Sequence, residues 1–181
     1  AFGFGLVLIS RTRSARIAPV RITFDQLDEA RLLVPRATYI VWEADSRRAY
    51  ELMVKGLTAG LDVMIVTAKQ PTSIRPTFGI KHTEIYWLTT STGDKVIHPA
   101  NTGILIDTIT RFMQKGPKTL VLLDGFELIV TYGDFKKALV VIDHLEDIVS
   151  TTSSRLIIPI NKHAFSEKEI AQIEKYAVVI Q

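Results

Sequence analysis

Apolar and polar positions along the chain follow two rhythms. Short, nearly unbroken apolar runs occur at Ala37–Glu43, Asp62–Thr67, Glu84–Thr89, Lys118–Asp124, Arg155–Ile160 and Ala177–Ile180. Their length and β-branched content predict buried strands. Between them, apolar residues recur every three or four positions. The sets are Ala49, Met53, Leu57 and Gly60 in Ser46–Gly60, and Leu105, Ile109 and Phe112 in Asn101–Gly116. In Asp134–Ser150 they are Phe135, Ala138, Ile142, Leu145 and Val149. That spacing puts each set on one helical face. Asp45 or Ser46 can cap the first helix, Gly116 ends the second, and Ser166 with Glu169 fits a capping box opening a short last helix. The segment "AKQPTSIRPTFGI" carries two prolines and reads as an irregular crossing, and Pro159 must lie near the end of its strand.

Apolar strands separated by amphipathic helices predict an α/β fold: a doubly wound, mainly parallel sheet sandwiched by helices. At 181 residues the chain suits one such domain, over residues 22–181, preceded by residues 1–21 of different character. A hydrophobic content of 47% and a mean hydropathy of +0.20 argue against disorder. The net charge of +3 is mild, and mixed signs along most of the chain argue against a general nucleic-acid binder. There is no cysteine, which excludes disulfides, thiolate catalysis and Cys-based zinc sites. Together with scarce asparagine, this leans toward a thermophilic source.

Residues 1–21 are the compositional anomaly. "AFGFGLVLIS" is apolar and uncharged, and Arg11, Arg13, Arg16 and Arg21 follow before any acid. That order resembles the cytoplasmic end of a membrane helix, although the run is about half the ~20 residues a span needs. The chain does not begin with Met, which fits a start inside a longer hydrophobic segment. The alternative is an extra strand or helix packed on the domain. For the arginines, a phosphate-rich membrane surface is a simpler partner than nucleic acid.

Ligands of doubly wound sheets bind beyond the carboxyl ends of the strands. The residues there form a candidate ring: Glu43 and Asp45, Thr67 and Lys69, Thr89, Asp124, Asn161 and His163. Asp124 is the provocative member, because a buried strand runs straight into it; in nucleotide-hydrolysing proteins such an aspartate holds magnesium through water. A phosphate cradle also needs glycines that expose backbone N–H groups at a helix start, plus a lysine. After the first strand the chain reads "EADSRRAYELM", with no glycine and with two acids where phosphates would sit. Asp124 therefore reads as a structural turn or cap residue, with an atypical phosphate site around Asp124, Thr67 and Asn161 as the alternative. The four histidines lack metal-ligand spacing, and no Gly-x-Ser-x-Gly elbow occurs. No catalytic residue, metal or cofactor is expected, and Trp42 and Trp87 read as core residues.

The segments "EIYWLTT", "VLLDGFELIV", "GDFKKALVVIDHLEDIV" and "SRLIIPIN" resemble an uncharacterised archaeal family, the domain of unknown function 835 (DUF835), over most of Thr38–Gln181. Members often follow membrane segments or accompany signalling modules, and the family implies no established activity. The order of elements also resembles RecA-like and KaiC-like ATPases. In those, the second strand ends near a catalytic acid; here it ends Val66–Thr67–Ala68. The resemblance implies an ATPase-derived scaffold that has lost hydrolysis. The resulting expectation is a non-catalytic interaction, signalling or scaffold domain at the cytoplasmic face of the membrane. Its partners would be other proteins, through self-association or an ATPase homologue. A nucleotide-binding protein using Asp124 is the alternative.

Overall fold

The computed structural model describes residues 20–23 and 33–181. The apolar run at the start of the chain, with Arg11, Arg13 and Arg16, lies outside the described residues. Among the described residues no helix is long and apolar enough to cross a membrane.

Among the described residues eight strands form one sheet: β1 (Arg21–Ile22), β2 (Ala37–Trp42), β3 (Asp62–Thr67), β4 (Glu84–Leu88), β5 (Val96–Ile97), β6 (Thr119–Asp124), β7 (Arg155–Ile160) and β8 (Val178–Ile180). Their order is β1-β8-β2-β7-β6-β3-β4-β5, and every pairing is parallel. Among the described residues six α-helices connect them: α1 (Arg47–Thr58), α2 (Pro71–Phe78), α3 (Thr102–Met113), α4 (Phe126–Tyr132), α5 (Phe135–Thr152) and α6 (Glu167–Ile173). Because strand side chains alternate between faces, Tyr39, Val41, Ile65 and Leu122 pack under α1 and α2. Ile40, Val66, Leu123 and Ile158 pack under α3, α4, α5 and α6. The doubly wound α/β sandwich expected from the pattern is present.

One connection differs from expectation, and the pattern assigns no element to another. The proline-containing crossing holds α2: Pro71 sits in its first turn, where a missing N–H costs nothing, and Gly79 ends it at φ 66°. Pro76 lies inside the helix, so its eight residues go without one internal bond. The apolar residues after Asp124 form α4, whose Phe126 and Ile129 are fully buried.

α1 determines where the site lies. The β2–α1–β3 crossover passes over β7 and β6, so α1 packs on β6, β3 and β7 alike. Gly56 permits the approach, since a Cβ there would lie 2.6 Å from Leu120 Cδ2. At the far side of the sheet, Arg21 of β1 pairs with Glu174, which is 5% exposed and also accepts from Trp42 Nε1 at 3.3 Å. Trp42 is buried and Trp87 half-buried.

Candidate functional site

At the carboxyl edge, β6 and β7 part. Their pairing ends at Leu122↔Ile157, while β7 stays with β2 through Trp42↔Ile160. Pro159 falls beyond the last β6 pair, which explains how a proline fits an interior strand. Asp124 remains tied to β3, its carbonyl accepting from Ala68 N at 2.7 Å. Gly125 then turns the chain where a Cβ would lie 2.8 Å from Leu88 Cδ2.

The Asp124 side chain is 11% exposed and surrounded by donors. Ser46 Oγ donates to Oδ1 at 2.8 Å, and Thr67 Oγ1 to Oδ2 at 3.2 Å. The Tyr50 hydroxyl lies 3.0 Å from both Oδ2 and Thr67 Oγ1. Its single proton goes to the charged acceptor, the stronger of the two. Burial, and then the charge of Asp124, push the Tyr50 phenol far above its ordinary value. Lys69 Nζ stands 3.6 Å from Oδ2, donates to the Asp45 carbonyl at 2.8 Å, and lies 5.1 Å from the Tyr50 ring centre.

The start of α1 is occupied as well. The Glu43 carboxylate accepts from Arg48 N and Ala49 N, both at 2.8 Å, and Asp45 Oδ1 accepts from Arg47 N at 3.1 Å. Ser46 takes the N-cap position in the left-handed region (φ 63°) without a side-chain capping bond: its hydroxyl donates to Asp124, and the first N–H groups of the helix go to Asp45 and Glu43 instead. A negative group at a helix N-terminus is favourable, and the chain supplies one from its own strand end. Burial nonetheless raises the Glu43 pKa above its ordinary value, against the pull of the two N–H groups.

The third closure spans the split between β6 and β7. Glu127 of α4 accepts from Asn161 N at 2.6 Å. Burial raises its pKa, the Asn161 N–H opposes that, and the nearby Asp124 charge adds to it.

Of the predicted ring, Asp124, Thr67 and Lys69 meet, with Asp45 joining through its carbonyl and Glu43 holding the adjoining helix start. Asn161 enters through its backbone N–H; its side chain accepts from His163 N at 3.1 Å. His163 is exposed and adds no side-chain contact to the cluster, and Thr89 closes its own turn by accepting from Ser91 N at 3.3 Å. Sequence reasoning missed Ser46 and Tyr50 as partners of Asp124, and Glu127 as a bridge. The available signal for Glu127 was its place three residues after Asp124 in the "LLDGFE" segment.

A magnesium ion at Asp124 does not fit this arrangement. Both carboxylate oxygens already receive hydroxyl protons, and an ammonium supplies the balancing charge. Among the described residues no group of three or more His, Asp or Glu side chains could hold a metal ion. One surface depression, of about 280 Å³, lies at the opposite edge against Asp62, Lys118 and Thr119.

No curated protein matches the chain. Among solved structures, the crystal structure of the RadB recombinase is similar at 12% identity and a TM-score of 0.45, over 71% of this chain. The match spans 63% of that protein's length. A family model described as a protein of unknown function, DUF835, matches residues 42–176. With most of its length covered, the chain belongs to the DUF835 family.

Proposed function

We propose that this domain is a non-catalytic protein-interaction or scaffold module whose ligand-binding edge is closed by its own side chains. The observation that carries the reading is Glu43: its carboxylate takes the two N–H groups at the start of α1 that an anionic ligand would need. Lys69 on Asp124 and Glu127 across the strand split close the rest. Calorimetric titration with ATP and Mg2+ tests this; no heat of binding is expected, and micromolar binding overturns it.

The partners under this reading are proteins, a second copy or an ATPase homologue among them. Sedimentation across a concentration series reads out self-association. The apolar-then-arginine order of residues 1–21 supports a tether to the cytoplasmic face of a membrane, and flotation of the full chain with anionic vesicles tests it.

A second reading, nucleotide binding at an atypical site, is favoured by one observation. Asp124 gathers two aliphatic hydroxyls, Ser46 and Thr67, beside a lysine. On that reading Asp124→Ala abolishes nucleotide binding while the domain stays folded.

A further inference from the structure

We propose that Lys69 is a built-in counter-ion standing in for a divalent cation at Asp124, so that the wild-type edge excludes such ions and loss of the ammonium opens it to them. The inference rests on the reading of this edge as self-closed and adds what keeps it so.

The ammonium makes two oxygen contacts, with Asp124 Oδ2 at 3.6 Å and the Asp45 carbonyl at 2.8 Å. It reaches them from the end of β3, two residues past Thr67, with its own backbone N–H donating to Thr67 Oγ1 at 3.0 Å. That bond fixes the direction in which the side chain leaves the strand, back over the Tyr50 ring toward Asp124. The groups gathered at Asp124 are oxygens: its own carboxylate, the hydroxyls of Ser46, Thr67 and Tyr50, and, through Lys69, the Asp45 carbonyl. A carboxylate, hydroxyls and a carbonyl suit a hard divalent cation such as Mn2+ or Mg2+.

Charge decides which cation occupies the place. One carboxylate balances one ammonium, and a dication added beside both leaves excess positive charge next to a side chain only 11% exposed. The tethered ammonium also reaches its position without the loss of translational freedom that a free ion suffers. With Lys69 shortened to an uncharged side chain, Asp124 and the Asp45 carbonyl lose their cation together. Ser46 and Thr67 can then turn their protons away and present lone pairs to a metal.

Lys69→Met keeps an apolar stem only one heavy atom shorter and removes the charge. With Mn2+ at roughly tenfold its Kd, the folded variant rises in Tm by about 3 to 6 °C. Free Mn2+ falls in step by electron paramagnetic resonance. Wild-type protein shows neither change, and Lys69→Met combined with Asp124→Asn loses both. A folded Lys69→Met indifferent to Mn2+ overturns the proposal, as does a wild-type Tm rise that Asp124→Asn removes. Should Lys69→Met not fold, amine labelling of the native protein gives the reading. Lys69 is expected to label more slowly than the exposed Lys168 and to catch up in Asp124→Asn; equal rates in the wild type overturn the assignment. Binding of ATP and Mg2+ by the wild type defeats the closed-edge reading itself, whereas metal indifference of the folded variant defeats only the role of Lys69.

Discussion

Two helices in this domain begin under a glutamate, and the two glutamates behave oppositely. At α6, Glu169 belongs to a capping box: it accepts from Ser166 N and Ser166 Oγ, lies at the surface, and has its pKa lowered by those donors. At α1, Glu43 accepts two backbone N–H groups at 2.8 Å, and its pKa is raised. The chemistry of capping is alike at both ends. The difference is water: burial at the sheet edge costs the ionised Glu43 more than two amides return, whereas at Glu169 desolvation is the smallest effect and the Ser166 donors outweigh it. A cap in solvent stabilises a helix cheaply, and a cap at the centre of a site holds that place against other anions.

The comparison can be broken by removing what supports the α1 end. Asp124→Ala leaves three hydroxyls and an ammonium without their acceptor and lowers stability by about 3 kcal/mol, seen as a Tm fall of roughly 6 to 12 °C by circular dichroism. Glu43→Ala frees two N–H groups and costs about 2 kcal/mol in urea denaturation, the upper end for a cap. Ser166→Ala removes one arm of the solvated box and costs about 1 kcal/mol in the same assay.

The subtlest test is pH. The raised pKa of Glu43 means its titration contributes stability that is present below the ordinary glutamate value of 4.5 and lost as pH rises through the folded pKa. Glu169, with a lowered pKa, contributes stability present above 4.5 and lost as pH falls through the folded pKa. Relative to Glu43→Gln, the wild type therefore gains as pH drops from 7 toward 4. Relative to Glu169→Gln it loses as pH drops further. Unfolding midpoints across that range should give slopes of opposite sign, and slopes of one sign would remove the distinction.

The same contrast explains how far the sequence could be read. The α6 box lies within four residues, so its spacing alone revealed it, and the strands Asp62–Thr67 and Arg155–Ile160 end where their apolar runs end. Asp124, Thr67 and Lys69 could be grouped in advance because parallel strands deliver their ends to one edge. Ser46 and Tyr50 could not. Their contact with Asp124 spans 78 and 74 positions and exists only because α1 crosses over β6. Tyr50 shares the buried face of α1 with Ala49 and Met53, where an aromatic residue reads as core and its hydroxyl carries no pattern. α2 was hidden by Pro71 and Pro76, which mark breaks in general and here start a helix and sit within one.

Gly56 has a reach that its size conceals. It stands ten residues along the helix from Ser46, yet it sets the height at which the whole rod rests on the strands. A methyl there would meet the tip of the buried Leu120 side chain, so that side chain or the rod must shift, and a shifted rod would draw the hydroxyls of Ser46 and Tyr50 away from the acid they serve. The polar edge is thus held in register by a bare stretch of backbone at the other end of the helix.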